Sequence, residues 1–415
     1  MTEYRHSLCT HSREVCCSEH QLGTGTLSLR VDERLETAPA ELFRIAERQN
    51  PKRAFLFVST VLGRHIPVTP STHRKALDAL AEEVMSAIGV GEVLVMSYAE
   101  TAVGLGLGVF EAIVDRSPRQ PIHYLPTTRS RTRGVDVWLE TSEAHSHAVD
   151  HMVLSPEPGT LPANGDTTLV LVDDETTTGS TFQDLAAALH RAGVEIDRVV
   201  LATLTDWSGG KCRQAIERVM PKARVSCVSL LSGQYVWSPF SRVLPRALPT
   251  RCARTTPHWS PEPDVDFGVP RTGISALEMQ REKRQWSDLI NVLFTQALTP
   301  GSRVLVIGTG EHVWHPFLAA EQLEREGFDV GFISTTRSPV MKGTVIEHQL
   351  SFGDHYGLGV WMYLNNVQPD SWDEILVITE TSAAGIPPEL RSALGKGMIM
   401  DGAGTVVPMM SAEAS

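Results

Sequence analysis

The chain lacks the marks of several large classes of protein. No apolar run is long enough to cross a bilayer, and the N-terminus is polar, without the apolar segment of an export signal. Positive charge is in deficit: 37 Lys and Arg stand against 49 Asp and Glu, a formal net charge of −12. Such a surface does not gather nucleic acid or an anionic membrane, so neither is expected as a partner. The cysteines are few and scattered, at positions 9, 16, 17, 212, 227 and 252. In a chain this long with no export signal they predict no disulfide framework, and a cytoplasmic location follows as an expectation. Cys9, Cys16 and Cys17 with His11 and His20 match no zinc spacing; residues 1–25 read as a flexible tail, and no metal ligand set is expected. What remains is globular in composition, with 42% hydrophobic and 21% charged residues over a length of 415 that favours two domains.

The most informative stretch runs from Leu169 to Thr181. Leu169-Val170-Leu171-Val172 is apolar and half β-branched, as suits a buried parallel strand. Asp173 and Asp174 stand at its carboxyl end. Thr176, Thr177, Thr178, Gly179, Ser180 and Thr181 follow, and helical periodicity begins at Phe182. Hydroxyls, backbone N–H groups and a helix N-terminus aimed at one place make an anion site. Carboxylates just ahead of it would repel a bare phosphate, but suit the hydroxyls of a sugar that carries one. Capping alone needs one Ser, Thr or Asp, not two acids and five hydroxyls.

Elsewhere, strands and helices alternate, which argues for a doubly wound parallel sheet. Strands are expected at Leu27–Val31, Phe55–Val58, Glu92–Met96, Ile122–Leu125, Arg198–Leu204 and Ala223–Leu230, and helices at Ala40–Gln49, Thr72–Ile88 and Thr101–Asp115. Prolines 239, 245, 249, 257, 261, 263 and 270 interrupt the chain, so residues 237–272 read as a linker between domains at 26–236 and 273–415. A long helix is expected over about Ile274–Leu298. The second half then repeats the first. Val304–Ile307 mirrors Val93–Met96, Thr335-Thr336-Arg337-Ser338 repeats Thr127-Thr128-Arg129-Ser130, and Ile375–Gly385 lines up with Leu169–Gly179.

Residues 170–181 resemble the signature of type I phosphoribosyltransferases, which bind 5-phosphoribosyl-1-pyrophosphate (PRPP). The resemblance implies a sheet of that kind, and the internal repeat implies that a second, related but degenerate α/β domain follows it. It implies that Asp173 and Asp174 hold the ribose 2′ and 3′ hydroxyls and favour positive charge at C1, and that Thr176–Thr181 cradle the 5′-phosphate. The segment Ser97-Tyr98-Ala99-Glu100-Thr101 takes the place of the family's pyrophosphate loop. Arg129, with Arg131 and Arg133, is either a clamp for pyrophosphate or part of a solvated basic loop. Residues 130–151 are a candidate hood, in which His145 or His147 is either an acid–base group or an incidental surface histidine. Mg²⁺ is expected to be held mainly through PRPP oxygens. Dimers are common in the superfamily, so a homodimer is an option, with no interface signal visible.

In the second half the acidic pair becomes Thr379-Glu380 and the phosphate loop becomes Ser382-Ala383-Ala384, so PRPP binding is not carried over. Glu311, His312, His315, Arg337, Lys342, His348, Asp354 and His355 either bind another ligand or are structural. Asn50–Ser59, Leu62-Gly63-Arg64-His65-Ile66-Pro67 and Thr336-Arg337-Ser338-Pro339 narrow the resemblance. They are similar to bacterial phosphoribosyltransferase-like proteins whose C-terminal domain is named for Thr-Arg-Ser-Pro (TRSP), associated with tellurite-resistance and stress-response gene clusters. That implies orotate-phosphoribosyltransferase-like transfer of ribose 5-phosphate to a base-like acceptor, in making a nucleotide-like metabolite. The rivals are a PRPP-binding regulator without turnover and a scaffold subunit of a biosynthetic complex.

Overall fold

The β-branched runs of the chain become the inner strands of two parallel sheets. A computed structural model describes residues 16–32, 39–48, 53–141, 151–162, 165–240, 251–253, 257, 267–295 and 297–410. In the first half the elements are β1 (Cys16–Leu22), β2 (Gly25–Asp32), α1 (Pro39–Leu42), β3 (Phe43–Glu47), β4 (Phe55–Ser59), α2 (Pro70–Ala87), β5 (Val93–Ser97), α3 (Val103–Arg116) and β6 (Ile122–Tyr124). Then come β7 (Val137–Thr141), β8 (His151–Leu154), β9 (Thr168–Thr176), α4 (Ser180–Arg191), β10 (Arg198–Asp206), α5 (Lys211–Val219) and β11 (Arg224–Pro239). The sheet order is β1-β2-β11-β10-β9-β5-β6, and β5, β6, β9, β10 and β11 run parallel. From β5 the chain winds one way and from β9 the other, so the strand order reverses between these two neighbours. Ligands of open α/β sheets bind at such a switch point, outside the carboxyl ends of the strands.

The second half comprises β12 (Ile274–Ser275), α6 (Ala276–Ile290), β13 (Arg303–Gly308), α7 (Trp314–Arg325), β14 (Asp329–Ser334), β15 (Gln349–Gly353), β16 (Trp361–Asn365), β17 (Glu374–Ile378), α8 (Pro388–Leu394), β18 (Met398–Met400) and β19 (Val406–Pro408). Its sheet, β14-β13-β17-β18-β19, copies the first: β14, β13, β17 and β18 stand where β6, β5, β9 and β10 do. Even the register is kept. Val93 lies opposite Thr168 and Ile122 in the first sheet, and Val304 opposite Glu374 and Val330 in the second. The hairpins β7–β8 and β15–β16 also correspond. The architecture is thus an α/β doubly wound sheet with a second, related α/β unit.

Four expectations need correction. Residues 16–22 belong to β1, although 1–25 reads as a tail; the strand has little apolar character, but antiparallel pairing with β2 satisfies its backbone. Ala40–Gln49 is not one helix, because a single turn gives way to β3. There Phe43 packs edge-on against Phe57 and Trp207, and this aromatic packing overrides helix propensity. The segment read as a linker is built into the fold at both ends. Trp237–Pro239 complete β11, and Phe267 is buried against Trp286. The helix expected to reach Leu298 ends its regular α turns at Ile290 and continues as a π turn over Asn291–Thr295.

One hydrophobic core spans both halves, with Leu77, Phe110 and Val172 from the first and Trp286, Phe317 and Phe332 from the second. Glycines let the helices approach. A methyl on Gly108 would collide with Leu77 of α2, and one on Gly104 would lie 2.9 Å from Val313, ahead of α7. No described helix is long and apolar enough to cross a membrane.

Candidate active site

β9 carries the acidic pair farther than a short strand would, since it continues through Asp173 and Asp174 to Thr176. Both carboxylates are half-buried, and the Asp174 N–H donates to Asp173 Oδ1 at 3.0 Å. Burial, and then the neighbouring Asp174, push the Asp173 carboxyl well above its usual range. Asp174 is raised by burial too, although the Arg64 guanidinium opposes the shift. A pair of carboxylates this close resists double ionisation unless positive charge arrives. Glu175, next along, is tied to Arg53 at 2.8 Å.

The turn beyond the strand is shaped for an anion. Gly179 adopts φ 76° at the N-cap of α4 and brings no capping side chain of its own, while the Ser180 N–H donates to Thr178 Oγ1 at 3.4 Å. The first turn of α4 thus sets the positive end of the helix dipole next to the hydroxyl-rich turn, where an anion is favoured. Thr178 and Ser180 are exposed and share a hydroxyl contact of 3.0 Å. Thr177 and Thr181 are half-buried. Thr176 is different: it is buried in β9, and its carbonyl accepts from the Trp207 N–H at 2.8 Å.

The neighbouring loop after β5 is drawn tight against the cleft. Ser97 is fully buried, its hydroxyl 2.6 Å from that of Tyr124. Tyr98 is buried between Phe182 and His151, and its hydroxyl donates to the Thr181 carbonyl at 3.2 Å. This bond ties the two loops together. The Ala99–Glu100 peptide is cis, and the Ala99 N–H donates to Thr127 Oγ1 at 2.9 Å. Thr101 is half-buried beside Arg64. The Glu100 carboxylate is engaged by the second half, accepting from Thr336 Oγ1 at 2.8 Å and the Arg337 N–H at 2.9 Å.

Arg129 reaches over this loop. Its Nε donates to the Ala99 carbonyl at 3.2 Å, and Nη2 lies 3.3 Å from His151 Nε2. Burial first, then Arg129 and Arg337, press the His151 pKa down to about 2, so this imidazole is neutral. His145 and His147 lie outside the described residues. Of the predicted residues, Asp173, Asp174, Thr177–Thr181, Ala99 and Arg129 are brought together around the switch point. Ser97 and Thr176 are held inside the strands.

Sequence reasoning underrated three residues: Arg64, His151 and Arg337. Arg64 is buried, donates to the carbonyls of Gly310 and Thr335 and to that of Glu100, and acts on Asp174. Its long-range partners are invisible in sequence. The Arg337 signal was present, because Thr335–Ser338 repeats Thr127–Ser130.

The sheet, its switch point and the acid-then-hydroxyl turn define an α/β fold of the type I phosphoribosyltransferase kind. The profile of the phosphoribosyl transferase family PRTase_2 matches residues 42–234. That of the TRSP domain found C-terminal to PRTase_2 matches residues 269–390. The chain belongs to this family of phosphoribosyl transferases with a C-terminal TRSP domain. Among solved structures it is similar to adenine phosphoribosyltransferase from Thermoanaerobacter pseudethanolicus (14% identity, 46% of this chain and 95% of that one, TM-score 0.32). Another match is adenine phosphoribosyltransferase from Rhodothermus marinus (18%, 45% and 93%, 0.31). A third is orotate phosphoribosyltransferase from Aeropyrum pernix (18%, 46% and 86%, 0.28). No curated protein matches the chain.

Proposed function

We propose that the first half binds PRPP across the carboxyl ends of β5 and β9 and transfers its ribose 5-phosphate to a base-like acceptor, releasing pyrophosphate. The observation that carries this reading is the convergence of Asp173 and Asp174 with the glycine-led, hydroxyl-rich N-terminus of α4. Adjacent carboxylates suit vicinal ribose hydroxyls and the positive charge that grows on C1 as pyrophosphate leaves. The hydroxyls and N–H groups of Thr177–Thr181 suit the 5′-phosphate, five bonds away from C1 along the sugar. The loop after β5 and Arg129 suit the diphosphate. Two anchored ends hold the sugar in line for attack.

Among the described residues no group of three or more His, Cys, Asp or Glu is placed to hold a metal alone. Asp173 and Asp174 do offer hard oxygen donors, which fit Mg²⁺ shared with the ligand's own oxygens. When bound, that ion would neutralise charge on the departing diphosphate. The sequence resemblance further suggests a role in a stress-response pathway that makes a nucleotide-like metabolite, as in tellurite resistance.

A second reading, PRPP binding without turnover, is favoured by one observation. His151, the histidine described in the cleft, is too weak a base to take a proton near neutrality. Calorimetric titration of PRPP with Mg²⁺ tests the shared part of both readings. Mg²⁺-dependent binding that disappears in the Asp173→Asn/Asp174→Asn variant is expected; a wild-type protein that binds no PRPP would sink both. Pyrophosphate release with a panel of purine and pyrimidine acceptors then separates enzyme from regulator.

A further inference from the structure

The two halves touch through contacts that come in matched pairs. Glu100 accepts from Thr336 Oγ1 at 2.8 Å and from the Arg337 N–H at 2.9 Å. Glu311 accepts from Thr128 Oγ1 at 2.7 Å and from the Arg129 N–H at 2.7 Å. Each glutamate follows the first parallel strand of its own sheet, β5 or β13, and each Thr-Arg pair lies in the repeated tetrapeptide of the other half. Beside them, Val68 bridges to Phe332 on the edge of the second sheet, and Ile274 pairs with Tyr124 on the edge of the first. After both crossings a hydroxyl caps a helix: Thr69 accepts from the Thr72 N–H ahead of α2, and Ser275 from the Glu278 N–H ahead of α6. A contact in which i meets j and j meets i is the mark of a two-fold interface. Here one chain supplies both faces.

The two equivalent clefts have different fates. In the second, Arg271 binds both oxygens of Glu380 at 2.7 Å, where the first half has Asp174. The Tyr356 hydroxyl lies 2.6 Å from Thr309 Oγ1 and donates to the Thr309 carbonyl at 2.9 Å, filling the loop after β13. That cleft is occupied by its own side chains. In the first cleft Asp173 and Asp174 keep solvent access, and the cations around it come from both halves. Arg337 is held there by its backbone, through Glu100. Its half-buried guanidinium makes no hydrogen bond or ion pair among the described residues, yet its charge reaches Glu100, Arg64 and His151. His151 is also the neighbour of Arg129.

We propose that Arg337, carried by the second half, is a ligand-contacting residue of the first half's cleft, where it joins Arg129 on the diphosphate of the bound sugar phosphate. The proposal rests on the PRPP reading of that cleft and adds that the cleft is composite. A guanidinium presented by a fixed backbone and left without a protein partner is poised for a bidentate anion. Because the Glu100 contact uses the Arg337 N–H, truncating the side chain leaves the interface bonded.

The test uses the full chain and three probes with Mg²⁺: PRPP, inorganic pyrophosphate and ribose 5-phosphate. Arg337→Ala is expected to weaken PRPP and pyrophosphate binding at least tenfold, leave ribose 5-phosphate affinity within twofold and leave the melting temperature unchanged. Arg337→Lys should recover part of the lost affinity by supplying charge without the fork. Wild-type binding of PRPP that Arg337→Ala leaves within twofold overturns the role of Arg337 alone. Equal loss for all three probes with a lowered melting temperature overturns it in favour of a structural role. Wild-type protein that binds none of the probes overturns the reading of the cleft, and this proposal with it.

Discussion

Asp173 is set in a place that suits a ligand better than the free protein. Burial and the adjacent Asp174 raise its pKa, and a carboxyl whose folded pKa is raised favours the protonated folded state. Its contribution to stability is therefore full below the ordinary carboxylate range and is lost as pH rises through the raised value. Asp173→Asn should thus stabilise the free protein, by about 1 kcal/mol, while weakening PRPP binding at least tenfold. Thermal melts and calorimetry on the same variant check both; a destabilised variant would contradict the assigned cause. Affinity carries the opposite sign. If the ligand requires both carboxylates ionised, PRPP affinity should climb as pH rises through the raised value, and below it binding should release a proton, seen as a heat that changes with the buffer's ionisation enthalpy. A flat pH profile with no buffer dependence would show that Asp173 is already ionised.

At the scale of the element, the turn from β9 into α4 depends on Gly179. Its φ of 76° disfavours any side chain, and a methyl there would lie 2.5 Å from Cys212 Cα on the adjacent α5. Gly179→Ala should cost about 1–3 kcal/mol and displace the N-terminus of α4, so denaturant midpoint and PRPP affinity should fall together. This element was legible from sequence because everything it needs is local: an apolar β-branched strand, two acids, a glycine and a run of hydroxyls. The central strands β5, β9 and β10 were legible for the same reason, since strands buried on both faces read as apolar runs. β1 and β3 were not. One is polar and borrows its order from an edge, and the other is fixed by Phe57 and Trp207, which lie far away in sequence. The closing of the second cleft by Arg271 was hidden too, because it comes from a proline-rich stretch that carries no periodicity.

For the molecule as a whole, the shared core makes the halves interdependent. A chain ending at residue 240 would expose the faces of α2 and α3 that meet α7, together with the edge of the first sheet that β12 covers. Such a fragment is expected to aggregate or lose cooperative unfolding, as read by size exclusion and melting. A soluble, cooperatively folding fragment would contradict the single core. Arg271 is buried where the halves meet, contacting Glu380 at 2.7 Å and Glu311 at 3.1 Å and donating to Thr128 Oγ1 of the first half at 3.1 Å. Burial alone would raise Glu380, but Arg271 brings it down to about 2. Arg271→Ala strands two buried carboxylates and should cost about 3–5 kcal/mol by denaturant titration. The reciprocal glutamates have one more consequence. Two separate copies bound by such contacts would part on dilution and would hold two equal sites able to influence each other. Joined in one chain, the halves meet at a fixed effective concentration, and one cleft of the pair is closed. Ligand saturation should therefore be hyperbolic, with one molecule per chain, and activity per chain should stay constant however dilute the protein becomes.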